Sequence, residues 1–355
     1  MDAEQQEPLL RRVPSALNVP PMLMQPGVEK LNSPITIPDD AVFPVPNFTN
    51  ATHSSQKRRV PQCIAHRGYK ARFPENSMLA FREAVKAGTH ALETDVHITM
   101  DDVVVLSHDP TLKRCFGREQ KIKDLTWEEV SEVRTTASPH VPMPRLKDLL
   151  EYLAEPGLEE IWLLLDIKLD NDADAIMRLM GSTLSSVSPS AKKAWNERVL
   201  LGIWAAKYLP LAMKYLPGYP ITHIGFSTLY ARHFFSVPNV SFNMLLPILV
   251  APGGRRFIRD AQSEKRQVYA WTANDKDKMR WCVRRGLDGV CTDDVAKFLS
   301  VCEEFDEYEQ EVEVSWKVYL DVMRVWIWVM VASWFFRKRF RPVASRALIQ
   351  KGGVV

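Results

Sequence analysis

Between Pro61 and Cys302 the apolar residues of this chain come in short runs. Runs at 62–66, 90–97, 103–108, 161–168, 198–204, 221–227, 240–246, 267–272 and 289–292 have the length of strands, and most are separated by stretches long enough for amphipathic helices. Alternation of that kind predicts an α/β domain. Nine strands are one too many for an eightfold barrel. The runs ALETDVHI and VVVLSH, however, are joined only by the turn around Thr99, Asp101 and Asp102, whereas a parallel crossover takes about a dozen residues. The third run is therefore expected as a hairpin arm, which leaves eight strands over about 240 residues, the size of a (β/α)8 TIM barrel.

The pattern changes at both ends. Residues 1–58 are rich in proline and small polar residues without a sustained period, and are expected as a disordered N-terminal arm ahead of a barrel domain at 59–302. The opening MDAEQQEP is acidic with no apolar stretch behind it, which predicts no signal peptide. Two acceptor-type triplets, Asn47-Phe48-Thr49 and Asn50-Ala51-Thr52, matter only in a secretory lumen. After the barrel come an acidic linker (303–314), a hydrophobic segment (315–341) and a basic tail (342–355). The apolar core from Val325 to Phe336 is shorter than the ~20 residues of a spanning helix. The segment's four tryptophans, Trp316, Trp326, Trp328 and Trp334, followed by Arg337, Lys338, Arg339 and Arg341, predict a membrane-associating interfacial helix, with a terminal helix packed on the barrel as the alternative. That expectation anchors the protein to a cytoplasm-facing membrane surface, of the ER, a lipid droplet or a mitochondrion.

Composition changes little in this picture. The net charge of +3 gives no argument for nucleic acid. Cys63, Cys115, Cys282, Cys291 and Cys302 are odd in number and lack a CxxC pair, which predicts neither a disulfide framework nor a zinc site and fits a reducing compartment.

Catalytic groups of such a barrel gather where its strands end. His66 and Arg67 end the first strand. Glu93 and Asp95, two residues apart, share one side of the second. His108 and Asp109 end the hairpin arm, Asp166 and Lys168 end WLLLDIK, and Trp271 and Asn274 end VYAWTAN. Charges inside apolar strands cost several kcal/mol unless paired or bound to metal. Glu93, Asp95 and Asp166 are candidate ligands of a hard divalent cation, Mg2+ or Ca2+, and a buried ion-pair network around Lys168 is the equal alternative.

The stretches IAHRGYKARFPENSMLAF, ALETDVHITMDDVVVLSHDPTLKR, LLLDIK, YAWTAN and GVCTDD, in that order, resemble the glycerophosphodiester phosphodiesterase family, whose barrel is of the phospholipase-C-like phosphodiesterase type. HRGYKARFPENS, LLLDIK and the apolar tail look like its fungal phosphatidylglycerol phospholipase C branch. The resemblance implies His66 and His108 as general acid and base, Glu93, Asp95 and Asp166 as metal ligands, and Arg67 and Lys168 as phosphate clamps. Asp166 departs from the glutamate of many members, but that branch also uses aspartate. The implied substrate is a glycerophospholipid, most of all phosphatidylglycerol, with deacylated glycerophosphodiesters as the alternative substrate and an inactive lipid-binding barrel as a third reading. The chemistry agrees with the enzyme readings: a divalent cation neutralises the phosphodiester charge, and histidines move protons near neutral pH.

Around this set, Trp271 is expected as a wall for the glycerol part, with core packing as the alternative, and Asn274 beside it as a substrate contact. Asn76 and Glu75 orient the site or cap the first helix, and Ser77 caps the helix from near Met78. Asp293 and Asp294 are expected to cap the last helix, MLLPILVAPGG (244–254) to be core, with a lipid-facing lip as the alternative, and His90, His97, His140, His223 and His233 to be structural.

Overall fold

The computed structural model describes residues 35–37, 42–306, 320, 322–324, 326–327, 331 and 343–345. All nine expected strands are present, trimmed by a residue or two at some ends and with the second running one residue further: β1 (Gln62–His66), β2 (Ala91–Ile98), β3 (Val104–Leu106), β4 (Trp162–Ile167), β5 (Val199–Ile203), β6 (Ile221–Gly225), β7 (Ser241–Leu245), β8 (Val268–Trp271) and β9 (Gly289–Thr292). Eight of them form a closed parallel barrel in the order β1-β2-β4-β5-β6-β7-β8-β9, with β9 returning to β1. The remaining strand, β3, pairs antiparallel with the end of β2, Val96 opposite Leu106, as the short turn requires.

Closure explains why the strands are so apolar. The inner faces fill the barrel with Ile64, Ala91, Trp162, Leu164, Leu200, Tyr269 and Cys291, while the outer faces pack against the helix layer. Of the arm expected at 1–58, residues 1–34 and 38–41 lie outside the described residues, and residues 42–58 are laid against the floor of the barrel. There Phe48 meets Trp162 edge-on at 5.8 Å, and the buried Thr49 hydroxyl bonds Tyr269 Oη at 2.5 Å. Most of the stretch 244–254 is core: Met244 and Leu245 are buried and the helix Leu246–Val250 buries Leu246, Pro247, Ile248 and Leu249, whereas Pro252 and Gly253 are exposed. Ser77 caps the helix Met78–Lys86, accepting from the Ala80 N–H at 3.1 Å.

The C-terminal expectation needs correction. No helix among the described residues is long and apolar enough to cross a membrane. The described residues of 315–341, namely Leu320, Val322–Arg324, Trp326, Ile327 and Val331, are helical. Val322 is buried, and Trp326 packs on Leu245 and Ile248 at the barrel rim. Leu320, Ile327 and Val331 are exposed, but with no long apolar helix among the described residues and with Val322 and Trp326 turned onto protein, the membrane-associating helix, the membrane as a partner through this segment and the membrane-surface localisation do not hold. Trp316, Trp328, Trp334 and the basic cluster 337–341 lie outside the described residues, as do 307–314 of the acidic linker. Of the basic tail only Val343–Ser345 is described, as a strand parallel to Ile35–Ile37.

Candidate active site

Strand register assembles the site. His66 at the end of β1 lies opposite Glu93 on β2, and Asp95 lies opposite Asp166 on β4. Alternation then sends Glu93 and Asp95 to one face. All three carboxylates are buried, and one oxygen from each lies within 4.8 Å of the others. Lys168, 2% exposed, places Nζ 2.6 Å from Asp95 Oδ1 and 2.5 Å from Asp166 Oδ2. Arg67 Nε is 3.2 Å from Asp95 Oδ2, and the Arg67 main-chain N–H donates to Glu93 Oε2 at 2.8 Å.

The ion-pair network around Lys168 and the carboxylate cluster are thus the same residues, and their charges do not cancel. Two cations face three carboxylates, and Arg67 is shared with Glu75, 2.8 Å from its Nη1. Glu93 carries the surplus: burial first, then Asp95 and Asp166, push its pKa well above the ordinary carboxylate range. Burial acts to raise Asp95 too, but Lys168 and Arg67 outweigh it and hold that carboxyl well below its usual range. A divalent cation among these oxygens would remove the surplus, and an all-carboxylate donor set suits a hard ion. The donors are held in place from behind. Trp204 Nε1 donates to Asp166 Oδ1 at 2.6 Å, Asn76 Nδ2 donates to Asp95 Oδ2 at 2.9 Å, and Thr94 Oγ1 fixes the Asn76 amide by donating to its Oδ1.

The turn after β1 has a backbone reason for its sequence. Arg67 and Gly68 have φ of +58° and +80°, and a Cβ at Gly68 would stand 2.7 Å from the carbonyl carbon of Ala80. Only glycine combines that φ with that approach to the first helix.

Each of the two motif histidines is paired with a carboxylate. His66 Nδ1 lies 2.6 Å from Asp293 Oδ1, and His108 Nδ1 lies 2.7 Å from Asp109 Oδ1. Burial acts against the charge of Asp293, yet the hydrogen bond to His66 and the nearby cations hold it well below the usual range; Asp109 is drawn down to about 2, against its burial, by His108 and Arg114. Ionised carboxylates only accept, so both Nδ1 atoms carry the proton and Nε2 is left free for chemistry. Burial, with Lys168 and Arg67 beside it, lowers the His108 pKa to about 3; burial and Arg67 lower that of His66.

The other expected residues stand one step back. Asn274 Nδ2 donates to Asp293 Oδ2 at 2.9 Å and its Oδ1 accepts the Asp293 N–H, so its amide holds the partner of His66. Trp271 donates to the Asn243 carbonyl and meets Trp204 edge-on at 5.6 Å. Of the expected cap pair only Asp294 caps the helix Val295–Glu304. Asp293 was expected only as a helix cap, not beside His66, and Trp204 was not singled out by the sequence. Both follow β strands, β9 and β5, so the strand-end rule that selected the other residues also reaches them.

The sequence profile of the Glycerophosphoryl diester phosphodiesterase family matches residues 66–297. A glycerophosphodiester phosphodiesterase of Bacillus altitudinis is 25% identical over 249 residues, which are 68% of this chain and 98% of that one. The crystal structure of a Thermotoga maritima glycerophosphodiester phosphodiesterase superposes with a TM-score of 0.54 at 26% identity, covering 68% of this chain and 98% of the other. An Oleispira antarctica phosphodiesterase, solved with the product sn-glycerol-3-phosphate, shares the fold at a TM-score of 0.60 and 18% identity, over 69% of this chain and 98% of its own. With the profile spanning both histidines and all three carboxylates, the chain belongs to the glycerophosphoryl diester phosphodiesterase family and is a phosphoric diester hydrolase of that type.

Proposed function

We propose that this protein hydrolyses glycerophosphodiesters at the C-terminal mouth of the barrel, releasing sn-glycerol 3-phosphate and an alcohol. The observation that carries the reading is the pair of imidazoles, each with Nδ1 held by a carboxylate, beside a cluster of three buried carboxylates. Glu93, Asp95 and Asp166 would hold Mg2+ or Ca2+, which when bound offsets the charge of the phosphodiester. Arg67 and Lys168 orient the phosphate. One imidazole takes the proton of the attacking hydroxyl through Nε2; the other enters as the imidazolium, its charge favoured by the bound phosphodiester anion against the pull of burial, and delivers its Nε2 proton to the leaving oxygen, so neither hydroxide nor free alkoxide has to form. Trp271 walls the glycerol part, while Asn76 and Asn274 support it by fixing Asp95 and Asp293.

A second reading, cleavage of a phospholipid such as phosphatidylglycerol to diacylglycerol and a phosphorylated head group, as in the fungal phospholipase C branch, is favoured by one feature. An apolar wall of Trp204, Phe226, Trp271, Leu245 and Ile248 runs from the Asp166 side of the cluster along the rim. Incubating the purified protein with glycerophosphocholine and with phosphatidylglycerol, and identifying products by mass, separates the two. Glycerol 3-phosphate from the first supports the main reading, diacylglycerol from the second supports the alternative, and no cleavage of either contradicts both.

A further inference from the structure

We infer that Arg114, outside the site described above, is a positioning residue that acts on the reaction through His108; this rests on the proposed role of His108. The short helix Lys113–Phe116 follows the hairpin arm and presents the Arg114 guanidinium to two loops at once. Its Nε donates to Asp109 Oδ2 at 2.6 Å, while the other oxygen of Asp109 faces His108 Nδ1 at 2.7 Å. Its two Nη atoms donate to Glu75 Oε2 at 2.9 Å and Oε1 at 2.8 Å, and Glu75 Oε1 also accepts from Arg67 Nη1. An unbroken chain of charge-assisted contacts therefore runs from His108 through Asp109, Arg114, Glu75 and Arg67 to Asp95. It ties the hairpin arm, attached to the barrel by β3, to the loop after β1.

The chemistry requires arginine. The planar fork supplies donors in two directions, to a carboxylate on each side, and an ammonium reaches one of them well. Arg114 is 41% exposed at the side chain, but its carboxylate partners Glu75 and Asp109 are only 10% and 16% exposed, so the network adds to stability as well as orienting Asp109. Its effect on the reaction lies in the orientation. Without Arg114 the Asp109 carboxylate is free to turn toward water, and His108 loses the contact that keeps the proton on Nδ1.

The test is a double-mutant cycle on the full-length protein with glycerophosphocholine, measuring kcat, KM and Tm for wild type, Arg114→Met, Arg114→Lys, His108→Ala and His108→Ala with Arg114→Met. Arg114→Met should lower kcat about 10- to 100-fold with KM nearly unchanged and Tm lowered by no more than a few degrees, the cost of a misplaced catalytic group. Arg114→Lys should recover part of the loss. In the His108→Ala background the same change should cost less than about twofold, since the group it serves is gone. Equal losses in both backgrounds, or a rise in KM at constant kcat, overturn the inference and leave the role of His108 standing. Turnover near wild type in His108→Ala overturns that role and the inference with it. If Arg114→Met does not fold, Arg114→Lys carries the same cycle.

Discussion

His66 and His108 differ from the other six histidines of the chain in having a carboxylate oxygen within 2.7 Å of Nδ1. Of the others, His90 accepts the Cys63 N–H, His140 bonds the Thr135 carbonyl, and His223 stacks on Phe234 at 4.2 Å. Replacing His66 or His108 by alanine should therefore lower kcat by about 10²- to 10⁴-fold while leaving the circular dichroism spectrum unchanged. Near-normal turnover in either variant refutes its role as a proton-transfer group. His223 makes a different prediction. Burial lowers its pKa to about 3 from the 6.5 of the unfolded chain, so the unfolded state binds the proton first as the pH falls. The stability held by neutral His223 is complete above about pH 6.5 and is lost progressively toward about pH 3. At pH 5 the loss relative to pH 7.5 should be about 2 kcal/mol larger in wild type than in His223→Gln, as read from urea titrations. Equal losses in the two proteins would show that the buried imidazole titrates normally.

Among the elements, the strands and the hairpin arm were legible because period and linker length constrain them: VVVLSH follows ALETDVHI too closely to be anything but antiparallel. The turn after β1 was legible only as HRG; its left-handed Arg67 and Gly68, and the contact with Ala80, belong to the packing of the first helix. Gly68→Ala should accordingly lower Tm by several degrees and reduce kcat, because the Arg67 N–H that holds Glu93 moves with the turn. An unchanged Tm and kcat would mean that the turn adapts freely. The C-terminal segment was misread for a plain reason. An apolar run rich in tryptophan has the same pattern whether lipid or protein covers it, and here Trp326 is covered by Leu245 and Ile248. Nothing in its own sequence names those partners.

Barrel closure governs the molecule as a whole and accounts for what was hidden. Asp293 is 227 positions from His66 in sequence, yet it follows β9, which pairs with β1, so the two side chains meet only because the sheet closes. The metal-type carboxylates were legible from strand-end spacing, whereas their charge imbalance, with Glu93 pushed up, emerges only once Lys168 and Arg67 are placed. The two ends of the barrel divide labour. Phe48 and Thr49 close the floor, and the chemistry-bearing residues line the mouth. Phe48→Ala should cost about 2 kcal/mol, below the ~3–5 of a fully buried phenylalanine because Phe48 is half-buried, with kcat unchanged. A fall in kcat without loss of stability would contradict that division. The assignment of Glu93, Asp95 and Asp166 is reached most directly by one measurement: the rate of sn-glycerol 3-phosphate release from glycerophosphocholine by protein stripped with chelator, before and after addition of Mg2+ or Ca2+. Release should be absent from the stripped protein, return on addition of the ion, and fail to return in Glu93→Gln with Asp95→Asn. Full activity of the stripped protein would contradict the metal-dependent diesterase outright.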